Sequence, residues 1–155
     1  MESLYSLTKD IALDTTPRTQ AFMAAYSPAL SRRPRVMKAT FATSDNYWKG
    51  REFHEIAEMK VRHYGCPDPY RVAEMEEIAV ASTLKRFGLS DGYMGLRVSV
   101  NLDDYMNGAT PETMFGNSFE SNMTDENNLE GADIFDTAMH NLFRVGKTII
   151  AFHPD

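Results

Sequence analysis

Apolar positions recur first at helical spacing, then in short strand-like runs, then at helical spacing again. Leu4, Leu7 and Ile11 share a helical rhythm near the start of the chain. A second helical pattern opens with Pro17 in a first turn after Asp14-Thr15-Thr16 and leads into Phe22, Ala25 and Tyr26. Ser31-Arg32-Arg33-Pro34-Arg35 interrupts the rhythm and reads as a solvated basic loop. Val36 to Thr43 is rich in β-branched residues and holds Phe41, which predicts a strand ending in the polar turn Ser44-Asp45-Asn46. Phe53, Ile56, Ala57, Lys60 and Tyr64 then fall on one face of a helix. Gly65-Cys66-Pro67-Asp68-Pro69 stops that helix.

A short strand is predicted at Arg71 to Glu74, followed by a helix from Glu77 to Phe87 that closes at Gly88. Its small residues Ala79, Ala81 and Ser82 would let it lie close to a sheet. Leu96 to Val100 predicts a third strand. Asn101 to Asn128 is a long polar connection, of a length usually reserved for function or mobility. Ala132, Phe135, Met139 and Leu142 mark a last helix, expected to end at Gly146, before an apolar tail from Thr148 to Phe152 that would add a strand or extend the helix packing. The alternation describes an α/β fold with helices covering a sheet. Ligands in such folds bind beyond the carboxyl ends of the strands. Ser44 to Trp48, Met75-Glu76 and the residues from Asn101 onward each follow a strand, so they are expected to converge on one rim.

Bulk properties narrow the partners. With 155 residues the chain is read as a single domain, 1–155, long enough to bury a core. A net charge of −6 disfavours nucleic acid or an anionic membrane surface as the main partner, but it does not repel an uncharged nucleoside. Cys66 is the one cysteine, so no internal disulfide can form, and with no evident base beside it the thiol reads as structural or incidental. His54, His63, His140 and His153 show no metal-ligand spacing, so neither a metal nor a cofactor is expected. No apolar run approaches the roughly 20 residues of a bilayer span. The first residues carry no basic segment ahead of an apolar one, so a cytoplasmic location is expected, and the Asn122-Met123-Thr124 sequon carries little weight without a secretion signal.

Several segments taken in order resemble a known family. They are Leu4-Tyr5-Ser6-Leu7-Thr8-Lys9-Asp10, Ser44-Asp45-Asn46-Tyr47-Trp48-Lys49-Gly50, Glu74-Met75-Glu76-Glu77, Leu96-Arg97 through Asn101, and Arg144-Val145-Gly146. Together they resemble the purine nucleoside permease branch of the nucleoside phosphorylase superfamily. The resemblance implies a nucleoside phosphorylase-like three-layer sandwich, of which this chain is the C-terminal half. No Gly-rich loop precedes Gly50, and Arg18 and Arg32 to Arg35 occupy no matching motif, so the phosphate-binding half is read as absent. Half a sheet leaves an unpaired edge, which invites pairing. A homo-oligomer or a second chain supplying the missing half is therefore expected.

The resemblance also implies roles. Glu76 matches the glutamate that accepts from the ribose 2′ and 3′ hydroxyls, a task suited to the two oxygens of one carboxylate. Met75 matches the methionine beneath the sugar. Tyr47 is placed against the base, with Trp48 a second candidate, and Ser44 opens that segment. Asn101 matches the residue bonded to the purine edge. As an amide it donates and accepts but is no general acid, which leaves Asp103 and Asp104 as nearby substitutes. Each residue also has a plainer reading. Glu76 fits a solvated first-turn acid favoured by the helix dipole, Met75 and the two aromatics fit a core, and Asn101 fits a turn cap.

The implied function is purine nucleoside binding, with cleavage of the N-glycosidic bond when a partner chain completes the fold. Two alternatives stay open. One is a repurposed small-molecule enzyme of specialised metabolism using the same pocket. The other is a non-catalytic, nucleoside-binding or transport-associated subunit.

Overall fold

A computed structural model describes residues 1–26, 33–45, 50–99 and 129–152. Seven elements fall within them: α1 (Glu2–Thr8), α2 (Pro17–Tyr26), β1 (Thr40–Thr43), α3 (Arg51–His63), β2 (Tyr70–Glu74), α4 (Glu77–Arg86) and α5 (Leu129–Ile150). The architecture is α/β, with helices around a small parallel sheet. Strands β1 and β2 pair in parallel, Phe41 opposite Val72 and Thr43 opposite Glu74, with α3 as the crossover between them. The strand predicted from Val36 is shorter than expected, because hydrogen-bonded pairing begins only at Thr40.

The core of this unit sits where α3 covers the strands. Ala57, Val61 and Tyr70 are buried together, and Ala42, Cys66 and Ala73 pack against them. The His54 ring meets the Tyr70 ring edge-on at 5.2 Å. The buried stripe of α3 is thus Ala57 and Val61, with half-buried His54 beside them, rotated from the face the sequence predicts. Phe53, Ile56 and Tyr64 are exposed. Gly65 ends α3 as expected. At φ 64° it takes the left-handed turn open to glycine, and the Cys66 N–H reaches back to the Val61 carbonyl at 3.1 Å.

Helix α4 begins directly after β2 and stops at Gly88, where the Leu89 N–H bonds the Leu84 carbonyl at 2.8 Å. Its small residues do not lie against the sheet. Ala79 and Ser82 are exposed, as are Ile78 and Val80. The third strand predicted at Leu96 is absent from the described residues. Residues 93–99 form no strand, and the segment meets the end of the sheet through side chains instead. A Cβ on Gly95 would stand 2.9 Å from both the Phe41 ring and the Glu77 carboxylate.

Helices α1 and α2 pack on α5. Ala138, Asn141 and Val145 form the buried stripe of α5, whereas Phe135, placed in that stripe by the sequence, is exposed. Gly146 does not end α5. Ile149, one turn after Val145, and Ile150 continue the helix past it, so the apolar tail extends the helix instead of adding a strand. Asn141 clamps the N-terminal segment. Its Oδ1 accepts from the Asp14 N–H at 2.8 Å, and its Nδ2 donates to the Asp14 carbonyl at 2.9 Å. Arg144 adds a two-pronged pair with the Asp14 carboxylate and a 2.6 Å bond to the Ala12 carbonyl.

Candidate functional site

The carboxyl ends of β1 and β2 lie side by side, so the residues that follow them share one rim. The Ser44 N–H bonds the Glu74 carbonyl at 3.2 Å, which extends the ladder one step and sets half-buried Ser44 beside the Met75-Glu76 turn. Met75 and Glu76 are both exposed there. Two of the three expected positions therefore come together. Tyr47, Trp48, Asn101 and Asp103 lie outside the described residues.

Beneath the exposed turn is a polar cluster that the sequence reading did not single out. Glu74 ends β2 opposite Thr43, next to the core residue Ala73, and its side chain is only 7% exposed. Its Oε2 accepts from the N–H groups of Glu76 at 2.8 Å and Glu77 at 2.7 Å. The Thr43 hydroxyl accepts from the Ile78 N–H at 3.0 Å. Three N–H groups at the start of α4, which have no partner inside the helix, are thus met by side chains from the two strand ends. Glu77 is buried with its carboxylate against the Arg97 guanidinium, and the same guanidinium stands 3.7 Å from Glu74.

Two buried carboxylates share one cation. Among the described residues one oxygen of each, Glu74 Oε1 and Glu77 Oε1, has no hydrogen-bond partner. Burial pushes the Glu74 carboxyl up. Hydrogen bonds from the Thr43 hydroxyl and from the backbone at Glu77 and Glu76, with Arg97 nearby, outweigh it and hold the group below the usual carboxylate range. Glu74 is therefore an ionised acceptor at neutral pH. The pairing of Arg97 with Glu77, 20 residues away, left no local trace.

Glu76 differs from both neighbours. Its backbone is fixed on either side, by the bond from its N–H to Glu74 and by the Ala79 N–H on its carbonyl at 3.3 Å. Among the described residues its carboxylate meets only the Met75 N–H, in a long contact of 3.4 Å. This arrangement can present two carboxylate oxygens to hydroxyl donors from solvent. Among the described residues no group of three or more His, Cys, Asp or Glu side chains could hold a metal ion. A cavity of about 730 Å³ lined by Leu7, Lys147, Thr148, Ala151 and Phe152 opens between α1 and the end of α5, and includes none of the rim residues. The hydrogen-bonding geometry favours the rim.

No curated protein and no solved structure matches the chain. The family model described as Purine nucleoside permease (NUP) matches residues 1–152. This match corrects the expected cytoplasmic location, because a permease acts at a membrane. Among the described residues no helix is long and apolar enough to cross one. With nearly its whole length matched, the chain belongs to the purine nucleoside permease family.

Proposed function

We propose that this chain binds a purine nucleoside at the rim beyond β1 and β2. Glu76 accepts hydrogen bonds from the ribose 2′ and 3′ hydroxyls, and Met75 packs beneath the sugar. The observation that carries this reading is an exposed carboxylate on a backbone held from both sides, at the carboxyl end of a parallel strand pair, in a chain of this family. Ser44 adds a polar group to the same rim. Tyr47 and Trp48 supply stacking for the base, and Asn101 hydrogen-bonds its edge. Asp103 is the nearby carboxyl available where Asn101, an amide, has no acid proton to give.

The same proposal includes a partner. Ile78 and Val80 on α4 are exposed, and β1 and β2 are the only strands among the described residues. Both features support a second copy or a second chain that covers α4 and pairs with a strand edge. Such a partner would complete a nucleoside phosphorylase-like sandwich. Sedimentation across micromolar concentrations should give a species larger than the monomer, and a monomer throughout would contradict the partner.

Calorimetry with adenosine, guanosine and inosine tests the binding reading. At least one should bind, and Glu76→Gln should weaken it by roughly tenfold or more, since a hydrogen bond to a charged group is worth about 1.5–3 kcal/mol. Absence of binding to all three would sink the proposal.

A further inference from the structure

We infer that Glu74 is a positioning residue: by fixing the backbone of the Met75-Glu76 turn it aims the Glu76 carboxylate, and so makes the site selective for ribonucleosides over their 2′-deoxy counterparts. This inference rests on the reading that Glu76 takes the ribose diol.

The geometry supports it from three sides. A single oxygen, Glu74 Oε2, holds both the Glu76 and the Glu77 N–H groups, which flank the Glu76 Cα. The Glu76 carbonyl is engaged by Ala79, and the next N–H along, that of Ile78, is held by the Thr43 hydroxyl from the neighbouring strand. With the backbone pinned before and after Glu76, the freedom left to its carboxylate lies in the side-chain torsions alone. A diol makes two simultaneous demands on a carboxylate, one per oxygen, so its recognition depends on orientation more than a single hydrogen bond does. Loss of the 2′ hydroxyl removes one of those demands.

Glu74 is suited to the task because it is buried and ionised. Its side chain is 7% exposed, so water does not compete for the bonds it accepts. Arg97 balances its charge from 3.7 Å and also pairs with Glu77, which ties the first turn of α4 to the segment carrying Arg97.

The test is calorimetry of inosine and 2′-deoxyinosine with the full chain and three variants. The wild type should prefer inosine by roughly tenfold, the worth of one hydrogen bond to a charged group. Glu76→Gln should remove most of that preference. Glu74→Ala should remove it as well while leaving 2′-deoxyinosine affinity nearly unchanged, a split that general destabilisation would not produce. Glu74→Gln should restore much of the preference, because the amide oxygen can accept the same two N–H groups. If Glu74→Ala does not fold, Thr43→Val carries the test, since it releases the Ile78 N–H and should lower the preference in the same direction. Full preference in Glu74→Ala, or in Thr43→Val where that variant stands in, would overturn the inference while Glu76→Gln still loses it. No inosine binding, or full preference in Glu76→Gln, would instead remove the diol reading and this inference with it.

Discussion

Two polar clusters tie distant segments together, one partly exposed and one largely buried, and they are built to different standards. Where α5 grips the N-terminal segment, Asn141 matches the Asp14 N–H and C=O with one acceptor and one donor, and Arg144 closes over the Asp14 carboxylate with two bonds. Among the described residues the one orphan nearby is a neutral hydroxyl, that of Thr15. At the strand ends two buried carboxylates share Arg97, and among the described residues each keeps an oxygen with no partner. An unmatched buried carboxylate oxygen costs far more than an unmatched hydroxyl. The first cluster therefore does the work of a clamp. The second holds the start of α4, and with it the backbone of Glu76, at the strand ends.

Substitutions can break or sharpen this contrast. Replacing Arg97 by Met should have the largest effect, because it leaves Glu74 and Glu77 without their cation. Arg97 is about a third exposed, so the loss should fall somewhat below that of a fully buried pair, at about 2–4 kcal/mol in urea unfolding. A loss under half a kcal/mol would show that the cluster is not held by charge. Asn141→Leu should come next, lowering stability by about 1–3 kcal/mol through the stranded Asp14 backbone groups. The contrast requires that Asn141→Leu leave nucleoside affinity unchanged once the protein is folded. A parallel loss of affinity would mean that the two clusters are not separable.

Gly95→Ala should cost about 1–2 kcal/mol by overpacking, since its Cβ would arrive 2.9 Å from the Phe41 ring and the Glu77 carboxylate. Unlike Asn141→Leu, it should also disturb nucleoside binding, because it presses on the rim cluster. The smallest effect is a pH dependence. The folded Glu74 carboxyl lies below its ordinary value of 4.5, so its contribution to stability is complete above that value and is lost as pH falls through the lower folded one. Thermal unfolding of the wild type should weaken below pH 4.5 more steeply than that of Glu74→Gln. Equal slopes would contradict an ionised Glu74.

What was legible in the sequence is mostly local. The order strand, helix, strand, helix from Thr40 to Arg86 follows from apolar rhythm and from glycines at 65 and 88, and the structure keeps it. The Met75-Glu76 turn was found because it follows a strand and opens a helix. Contacts between distant positions were not legible. Arg97 reaches Glu77 across 20 residues, and Asn141 reaches Asp14 across 127. Leu96 to Val100 has the composition of a strand, yet Gly95 and Arg97 meet the side chains of Phe41, Glu74 and Glu77, and Leu96 meets α5 at Gly146, without joining the sheet. Gly146 looked like a helix stop, but the apolar residues after it keep the helical period and win.

The central claim is that Glu76 reads a sugar diol at the end of the parallel strands. Calorimetry of the full chain with inosine and with 2′,3′-dideoxyinosine tests it most directly, since the two differ only in the hydroxyls that Glu76 would bind. The account predicts clear binding of inosine and a loss of roughly a hundredfold or more for the dideoxy form, two hydrogen bonds to one carboxylate being removed together. Equal affinity for the two would contradict it.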